Sequence, residues 1–336
     1  MSGQAPIPPL KIGSVALGGR VQIAPMTGVT DLPFRRAAVR AGASYVATEM
    51  VASADFAKGR PDIVRKAAGG DDLPLMVVQL VGADPLAMAN AAKLAEAAGA
   101  HLIDINMGCP AKEVVGVRSG AALMRDLNLA ERLIAATTAV VSVPVTVKMR
   151  LGWDPCTQVA PHLAEIAARN GASGVTVHGR TRSQFYSGNA DWGAVRDVVR
   201  AVAIPVSVNG DIVDVASARA ALSASGAAAV MMGRGVYGQP WAAGAIDQAL
   251  AGQGDAEARS QADILEAVLV HFAETLRFYG DGLGLKIFRK HLGWYVERAC
   301  SAGTAEGRRA AKARLCRIEN PNDLVADLSQ FWRDAA

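Results

Sequence analysis

Cys109 closes the run Leu102-Ile103-Asp104-Ile105-Asn106-Met107-Gly108-Cys109-Pro110. An apolar segment that breaks at Gly-Cys-Pro puts a thiol just past the C-terminal end of a buried strand. In a repeating β/α protein, that is the end at which loops build an active site. A thiol held there is suited to giving or taking a proton. Behind it, Ala111 to Gly120 carries Lys112, Arg118 and Ser119, which reads as a mobile basic loop. Free cysteine is often only a buried structural residue. The flanking Gly and Pro, with the basic loop behind them, favour chemistry.

Other reactive or polar side chains stand at the ends of similar runs. Pro25, Met26 and Thr27 form a rigid turn of a kind that lets a flat ligand approach the backbone. Gln79 is an uncharged amide after four apolar residues, placed either to hydrogen-bond a heterocycle or to cap its strand. Lys148 precedes Met149-Arg150; an amine emerging from a buried strand is unfavourable unless something pairs with it, and a ligand that develops negative charge would do so. His178-Gly179-Arg180 reads as a ligand contact. Asn209-Gly210-Asp211 and Gly233-Arg234 end the last two runs. Glycine-bearing loops in those positions bind phosphate through backbone N–H groups, and Arg234 adds a charge-assisted contact. No Rossmann dinucleotide domain is expected in a chain built as such a repeat. These residues together describe a flat, phosphate-tailed cofactor whose developing charge meets Lys148, facing the thiol of Cys109. Reduced flavin mononucleotide (FMN) meets those terms; pyridoxal phosphate would also need a Schiff-base geometry at Lys148.

The elements that must position these residues are legible as a repeat. Eight short, nearly continuous apolar runs occur: Val21–Met26, Tyr45–Met50, Leu75–Leu80, Leu102–Met107, Val143–Met149, Gly174–His178, Pro205–Asn209 and Ala229–Gly233. Their continuity marks strands buried on both faces, as parallel strands are. Ala-rich segments of helical period lie between them, such as Pro85–Ala98, Ala130–Val140 and Val159–Arg169. Gly42, Gly99, Gly171 and Gly226 sit where a helix needs a left-handed C′ residue before the next strand. Eight strand–helix units over roughly 240 residues match an α/β (β/α)8 TIM barrel. After Gly252-Gln253-Gly254-Asp255 the pattern becomes helical throughout, in Gln261–Tyr279, Leu283–Ala299, Thr304–Arg317 and Asn322–Trp332. The expected organisation is a barrel domain over residues 1–250 and a C-terminal all-helical domain over 255–336.

Composition bounds what such a chain does. The apolar fraction of 51% supplies a sizeable core, and no apolar run approaches the ~18 residues of a membrane helix. The N-terminus lacks a signal-peptide pattern, and the four cysteines show no C-x-x-C spacing. Neither a zinc site nor a disulfide framework is indicated, and a reduced cytoplasmic location is expected. Net charge is only +4, but it is uneven. From Lys286 to Arg317, nine Lys and Arg face two Glu, a local excess of +7. That concentration suits a polyanionic partner, although a basic run by itself is more often a solvated helix face.

The chain resembles the flavin-dependent tRNA-dihydrouridine synthases, most closely the bacterial B type. The resemblance rests on Ala24-Pro25-Met26 with Thr30-Asp31, on Asp104 to Pro110, and on Gly120-Ala121-Ala122-Leu123-Met124. It continues in Val147-Lys148-Met149-Arg150, Val177 to Thr181, Asn209-Gly210-Asp211-Ile212, Gly233-Arg234, Phe278-Tyr279-Gly280 and Arg289-Lys290-His291. It spans about residues 15 to 332. It implies FMN as cofactor, NADPH as reductant and the D-loop of tRNA as substrate, with reduction of the C5–C6 bond of uridine. By carry-over, Pro25, Met26, Thr27, Gln79, Lys148, Asn209, Gly210, Asp211, Gly233 and Arg234 contact FMN. Cys109 donates the proton to C5 after hydride reaches C6 from flavin N5. Asn106, His178 and Arg180 partner the base or flavin, with His178 grouped with the cofactor and Asn106 and Arg180 with the substrate, and Lys286 and Lys290 meet the RNA. Two alternatives remain: a barrel flavoenzyme for a small pyrimidine or enone, and a tRNA-binding protein without turnover. The helical domain and its basic stretch disfavour the first, and retention of Cys109 with Lys148 and His178 disfavours the second.

Overall fold

The structure, a computed structural model, describes residues 10–70, 72–254, 256–299 and 304–334. Asp255 and Cys300, both met in the sequence, lie outside them. Strands β1 (Leu10–Ile12) and β2 (Val15–Leu17) form an antiparallel hairpin. The strands that follow are β3 (Val21–Ile23), β4 (Tyr45–Ala52), β5 (Val77–Val81) and β6 (Leu102–Met107). They continue as β7 (Val145–Arg150), β8 (Gly174–His178), β9 (Val206–Asn209) and β10 (Ala229–Met232). Strands β3 to β10 pair in parallel and in chain order, and β10 closes on β3. This is the TIM barrel the eight apolar runs indicate. Every residue of β5, β6, β8 and β9 is buried, which is why these runs show no polar alternation.

The connecting helices begin and end where their chemistry says they should. Asp84, Asp126 and Asp214 each accept a backbone N–H in the first turn, at 2.7, 3.0 and 2.7 Å. Those bonds satisfy donors that the helix itself leaves unpaired. Gly42, Gly99, Gly171 and Gly226 all take positive φ, between 72° and 96°, a conformation that side chains resist. The segment behind Cys109 carries a short helix, Lys112–Gly116, and a 3₁₀ turn, Gly120–Arg125. Ser119 in it is buried, and the N–H of Ala121 donates to the carbonyl of Cys109 at 3.0 Å.

The β1–β2 hairpin has no counterpart in the sequence expectations. Its residues Leu10, Ile12 and Leu17 pack with Tyr45, Val77, Leu102 and Ala229, the first residues of four barrel strands. It therefore seals the N-terminal end of the barrel. Beyond the barrel, the helices Gln261–Tyr279, Asp281–Arg298, Ala305–Leu315 and Pro321–Asp334 gather around Phe272, Phe288, Leu292, Leu328 and Trp332. This second core abuts the barrel's first helix, Leu32–Arg40, where Phe34 stacks on His291 and Arg36 and Arg40 pair with Glu274. Among the described residues, no helix is long and apolar enough to cross a membrane.

Candidate active site

A cavity of about 930 Å³ opens at the C-terminal end of the barrel. Ligand sites range up to about 1,000 Å³, so this one has room for a cofactor together with part of a second molecule. Its lining contains Pro25, Met26, Thr27, Asn106, Cys109, Lys148, His178, Arg180, Asn209, Gly210, Asp211, Gly233 and Arg234. Residues drawn from six strand ends thus converge on one space. Gln79, Lys286 and Lys290 do not line it.

Cys109 is held by a chain of buried polar side chains that runs beneath the cavity. The Asn106 side-chain oxygen accepts the N–H of Cys109 at 2.9 Å and that of Gly108 at 3.1 Å. The Asn106 amide donates to Gln79 Oε1 at 2.8 Å, and Gln79 donates in turn to Asp104 Oδ2 at 2.6 Å. Thr146 donates to the other Asp104 oxygen at 2.7 Å. Both ends of the Gln79 amide are thus engaged in the floor, and its side chain anchors the thiol turn. Gly120 crowds the far side of that turn, because a Cβ there would lie 2.8 Å from the Cys109 carbonyl oxygen. Burial pushes the Cys109 thiol above its ordinary pKa, against the opposing pull of the Ala111 N–H, Arg150 and Lys148. At neutral pH the sulfur keeps its proton, the state a general acid requires.

Three cations stand in the cavity wall, two of them, Lys148 and Arg150, acting on this thiol. Lys148 Nζ donates to Asn209 Oδ1 at 3.0 Å, and Asn209 is fixed by its own bond to the Met231 carbonyl at 2.8 Å. Burial drives the Lys148 pKa down, while Asp104 nearby opposes that. Arg150 donates to the carbonyls of Gly108, Thr181 and Phe185, each at 2.9 Å. Arg180 reaches the Ser187 and Gly188 carbonyls and Asp211 Oδ2, the last at 2.6 Å. It also contacts His178 Nε2 at 3.2 Å. A guanidinium only donates, so His178 accepts there and is neutral. Burial, followed by the neighbouring cations, holds its pKa well below the usual imidazole value.

The far end of the cavity has the features of an anion site. Arg234 is half-exposed, and its nearest carboxylate, Asp211, stands 3.7 Å away, so most of its donors remain available to a ligand. Asp211 holds a positive φ of 56° and accepts the Ala190 N–H at 2.7 Å. A Cβ on Gly210 would come within 2.9 Å of the His178 ring, whereas one on Gly233 would meet nothing within 4 Å. The open backbone at Gly233 and an under-used guanidinium fit a phosphate. The buried Lys148 amine fits a group that gains negative charge. The residues present therefore suit a flavin mononucleotide.

Several participants went unread in the sequence. Arg150, which its strand-end position alone gives no role, ties the thiol turn to the loop after β8. Tyr186, from that loop, lies under Arg150 and Arg234 at 5.6 and 4.9 Å. Met50, Glu113 and Tyr237 also line the cavity, and no local pattern pointed to them. On the helical side, Lys286 is exposed, but Lys290 is half-buried and its ammonium lies against Gly28. Asp31, His271 and His291 bring possible metal-ligand atoms within 4.8 Å of one another. Arg35 and Lys290 already balance the charges of Asp31 and Glu49 there, so the cluster has no excess negative charge that calls for a cation.

The fold and this cavity define a TIM-barrel protein with a half-buried, proton-bearing thiol facing a pocket lined by cations. Comparison narrows that class. The chain belongs to the dihydrouridine synthase (Dus) family, whose profile matches residues 22–331. It is 50% identical over 305 residues to a probable tRNA-dihydrouridine synthase of Rhodobacter capsulatus, covering 90% of this chain and 93% of that one. A probable tRNA-dihydrouridine synthase of Rickettsia conorii is also 50% identical, over 287 residues, with 85% and 87% covered. The tRNA-dihydrouridine synthase B of Pseudomonas putida is 38% identical over 327 residues, with 97% and 95% covered. Among solved structures, morphinone reductase superposes with a TM-score of 0.52 at 16% identity, over 76% of this chain and 92% of that one. At that identity the likeness concerns the fold alone.

Proposed function

We propose that this protein is an FMN-dependent tRNA-dihydrouridine synthase that reduces the C5–C6 bond of D-loop uridine with electrons from NADPH. The observation that carries the reading is the Cys109 thiol, kept protonated by burial and fixed by Asn106 in the wall of a cavity that fits a flavin. The names of the relatives support the same substrate. Bound FMN would supply the hydride for C6, having been reduced by NADPH. Pro25, Met26, Thr27 and Lys148 would hold its ring edge, and Asn209, Gly210, Asp211, Gly233 and Arg234 its polar tail. Lys148 stands where negative charge collects, and Asn209 keeps its amine aimed.

The protein's own part in the chemistry is positional and acid–base. Asn106 and Arg150 grip the Gly108–Cys109 turn from two sides, so the thiol proton has a fixed direction towards C5. Neutral His178, oriented by Arg180, offers its remaining N–H to a carbonyl of the base or ring. A D-loop uridine is stacked in the RNA and must be turned out to enter such a cavity. The helical region from about residue 255, with exposed Lys286, would grip the RNA backbone. At the barrel mouth, Arg234 is half-exposed and Tyr186 exposed. A yellow protein that converts uridine to dihydrouridine in tRNA transcripts with NADPH is the expected result. A colourless one that still binds tRNA would place the chain with the inactive binders, and turnover of free pyrimidines alone would place it with the small-substrate flavoenzymes.

A further inference from the structure

The turn that carries Pro25, Met26 and Thr27 is built from outside the barrel as well as from within. Internally, the N–H groups of Val29 and Thr30 donate to the Met26 carbonyl at 2.9 and 3.0 Å, and Met26 N–H donates to Thr30 Oγ1 at 3.0 Å. The next N–H, that of Gly28, leaves the turn and donates to Glu49 Oε1 at 2.6 Å. Glu49 belongs to β4 and is 5% exposed. A buried carboxylate in this place needs a counter-charge.

That charge arrives from the helical region. Lys290 lies on the helix Asp281–Arg298, and its Nζ is so close to the turn that a Cβ on Gly28 would stand 2.8 Å from it. Its ammonium is in the field of Asp31 and Glu49, while burial, the stronger influence, pushes its pKa down. Asp31 accepts the Phe34 N–H at 3.0 Å and the Tyr279 hydroxyl at 3.1 Å, so a second residue of the helical region meets the same loop. Arg35, 1% exposed, completes the group by donating to the Thr30 carbonyl at 3.2 Å. Two carboxylates and two cations thus close around residues 28–31, with no charge left over.

We propose that Lys290 is a positioning residue for the flavin-contact turn, holding the Gly28–Glu49 bond in place from the helical region. Resting on the flavin reading above, this makes the helical region part of the cofactor site as well as an RNA grip. Removing the ammonium leaves buried Glu49 without the cation that the helical region brings into its field, and Pro25, Met26 and Thr27 lose their fixed backing. Neutralising Glu49 at the same time removes the mismatch.

The test compares wild type, Lys290→Met, Glu49→Gln and the double variant in two measurements that use no RNA. FMN affinity and the fine structure of the flavin absorption band are measured on reconstituted full-length protein. Lys290→Met is expected to weaken FMN binding at least tenfold and to blur the band, with most of the loss recovered in Lys290→Met/Glu49→Gln. Hydrogen exchange over residues 26–30, measured without flavin, reads the same contact independently of the cofactor assignment. It should quicken at least tenfold in Lys290→Met and slow again in the double variant. Unchanged exchange in Lys290→Met overturns the proposal, whatever the flavin result. If wild type binds no FMN yet the exchange pattern holds, the flavin reading fails and the latch stands. Wild-type FMN affinity and exchange combined with a flatter salt dependence of tRNA binding would return Lys290 to the RNA surface.

Discussion

The barrel mouth and the C-terminal helices are both rich in cations, and they handle them in opposite ways. Arg150 and Arg180 are buried and Lys148 half-buried, and each is tied to a named oxygen of the cavity wall. In the basic stretch, Lys312 pairs with Glu297 and Arg314 with Asp327 on the protein's outside, while Lys286, Arg309 and Arg317 face solvent. Charges of the first kind act through fixed geometry in a medium where interactions are strong. Those of the second kind act at a distance and are weakened by salt. The two regions should therefore fail differently when altered.

The largest expected effect lies in the mouth. Cys109→Ala should leave FMN bound and reducible by NADPH while lowering uridine reduction by roughly 10² to 10⁴, the span typical of general acid catalysis. Single-turnover oxidation of reduced enzyme by tRNA measures the chemical step alone; a wild-type rate would remove Cys109 from the mechanism. The same assay against pH carries a sign. Because burial raises the thiol pKa, the acid form persists past the ordinary cysteine value, and the rate should fall only at still higher pH. A fall beginning below that value would contradict a buried, protonated thiol.

Next comes the support beneath the thiol. Asn106→Ala removes the acceptor of two backbone N–H groups at the turn. Misplacement by about 1 Å can cost on the order of 10² in rate, so a loss of that order is expected with NADPH oxidation retained. Arg234→Ala should act on binding, since the guanidinium is half-exposed. A roughly tenfold weaker hold on FMN is expected from one charge-assisted contact; full occupancy after extensive dilution would argue against a phosphate at that end.

The smallest effects belong to the helices. Lys286→Ala and Arg309→Ala should each flatten the slope of log tRNA affinity against log salt by about 0.7 to 0.9 if the residue meets a phosphate. Flavin reduction should be untouched. A titration of tRNA binding at several salt concentrations distinguishes this from a solvated face, for which neither slope nor affinity would move. The contrast sharpens if Cys109→Ala keeps the wild-type slope.

The sequence displayed the scaffold clearly and the site only in part, for physical reasons. Parallel strands are buried on both faces, so Leu102–Met107 and Gly174–His178 could be bounded to the residue. The helix-ending glycines were equally plain, because few other residues accept their φ. The β1–β2 hairpin escaped because three-residue strands carry no usable period. Its role depends on reaching Tyr45, Val77, Leu102 and Ala229, which are remote in the chain. At the site, strand-end position located the lining residues, but partnership was invisible. Nothing local says that Gln79 turns to Asp104 and Asn106, that Arg150 holds Gly108, or that Asp327 on the next helix answers Arg314. The charge excess counted from Lys286 to Arg317 is smaller in three dimensions for that last reason.

The hairpin at the barrel's base also has a kinetic meaning. A vessel closed beneath has a single doorway, and every visitor to its interior must use it. If an electron donor and a turned-out RNA base both bind there, as proposed, the first caller has to leave before the second is received. Steady-state rates measured against both reactants should then give parallel rather than intersecting reciprocal lines, the signature of a two-stroke cycle. Leu10, Ile12 and Leu17 lie beneath a barrel whose interior is already filled with side chains, and the top is left as the way in.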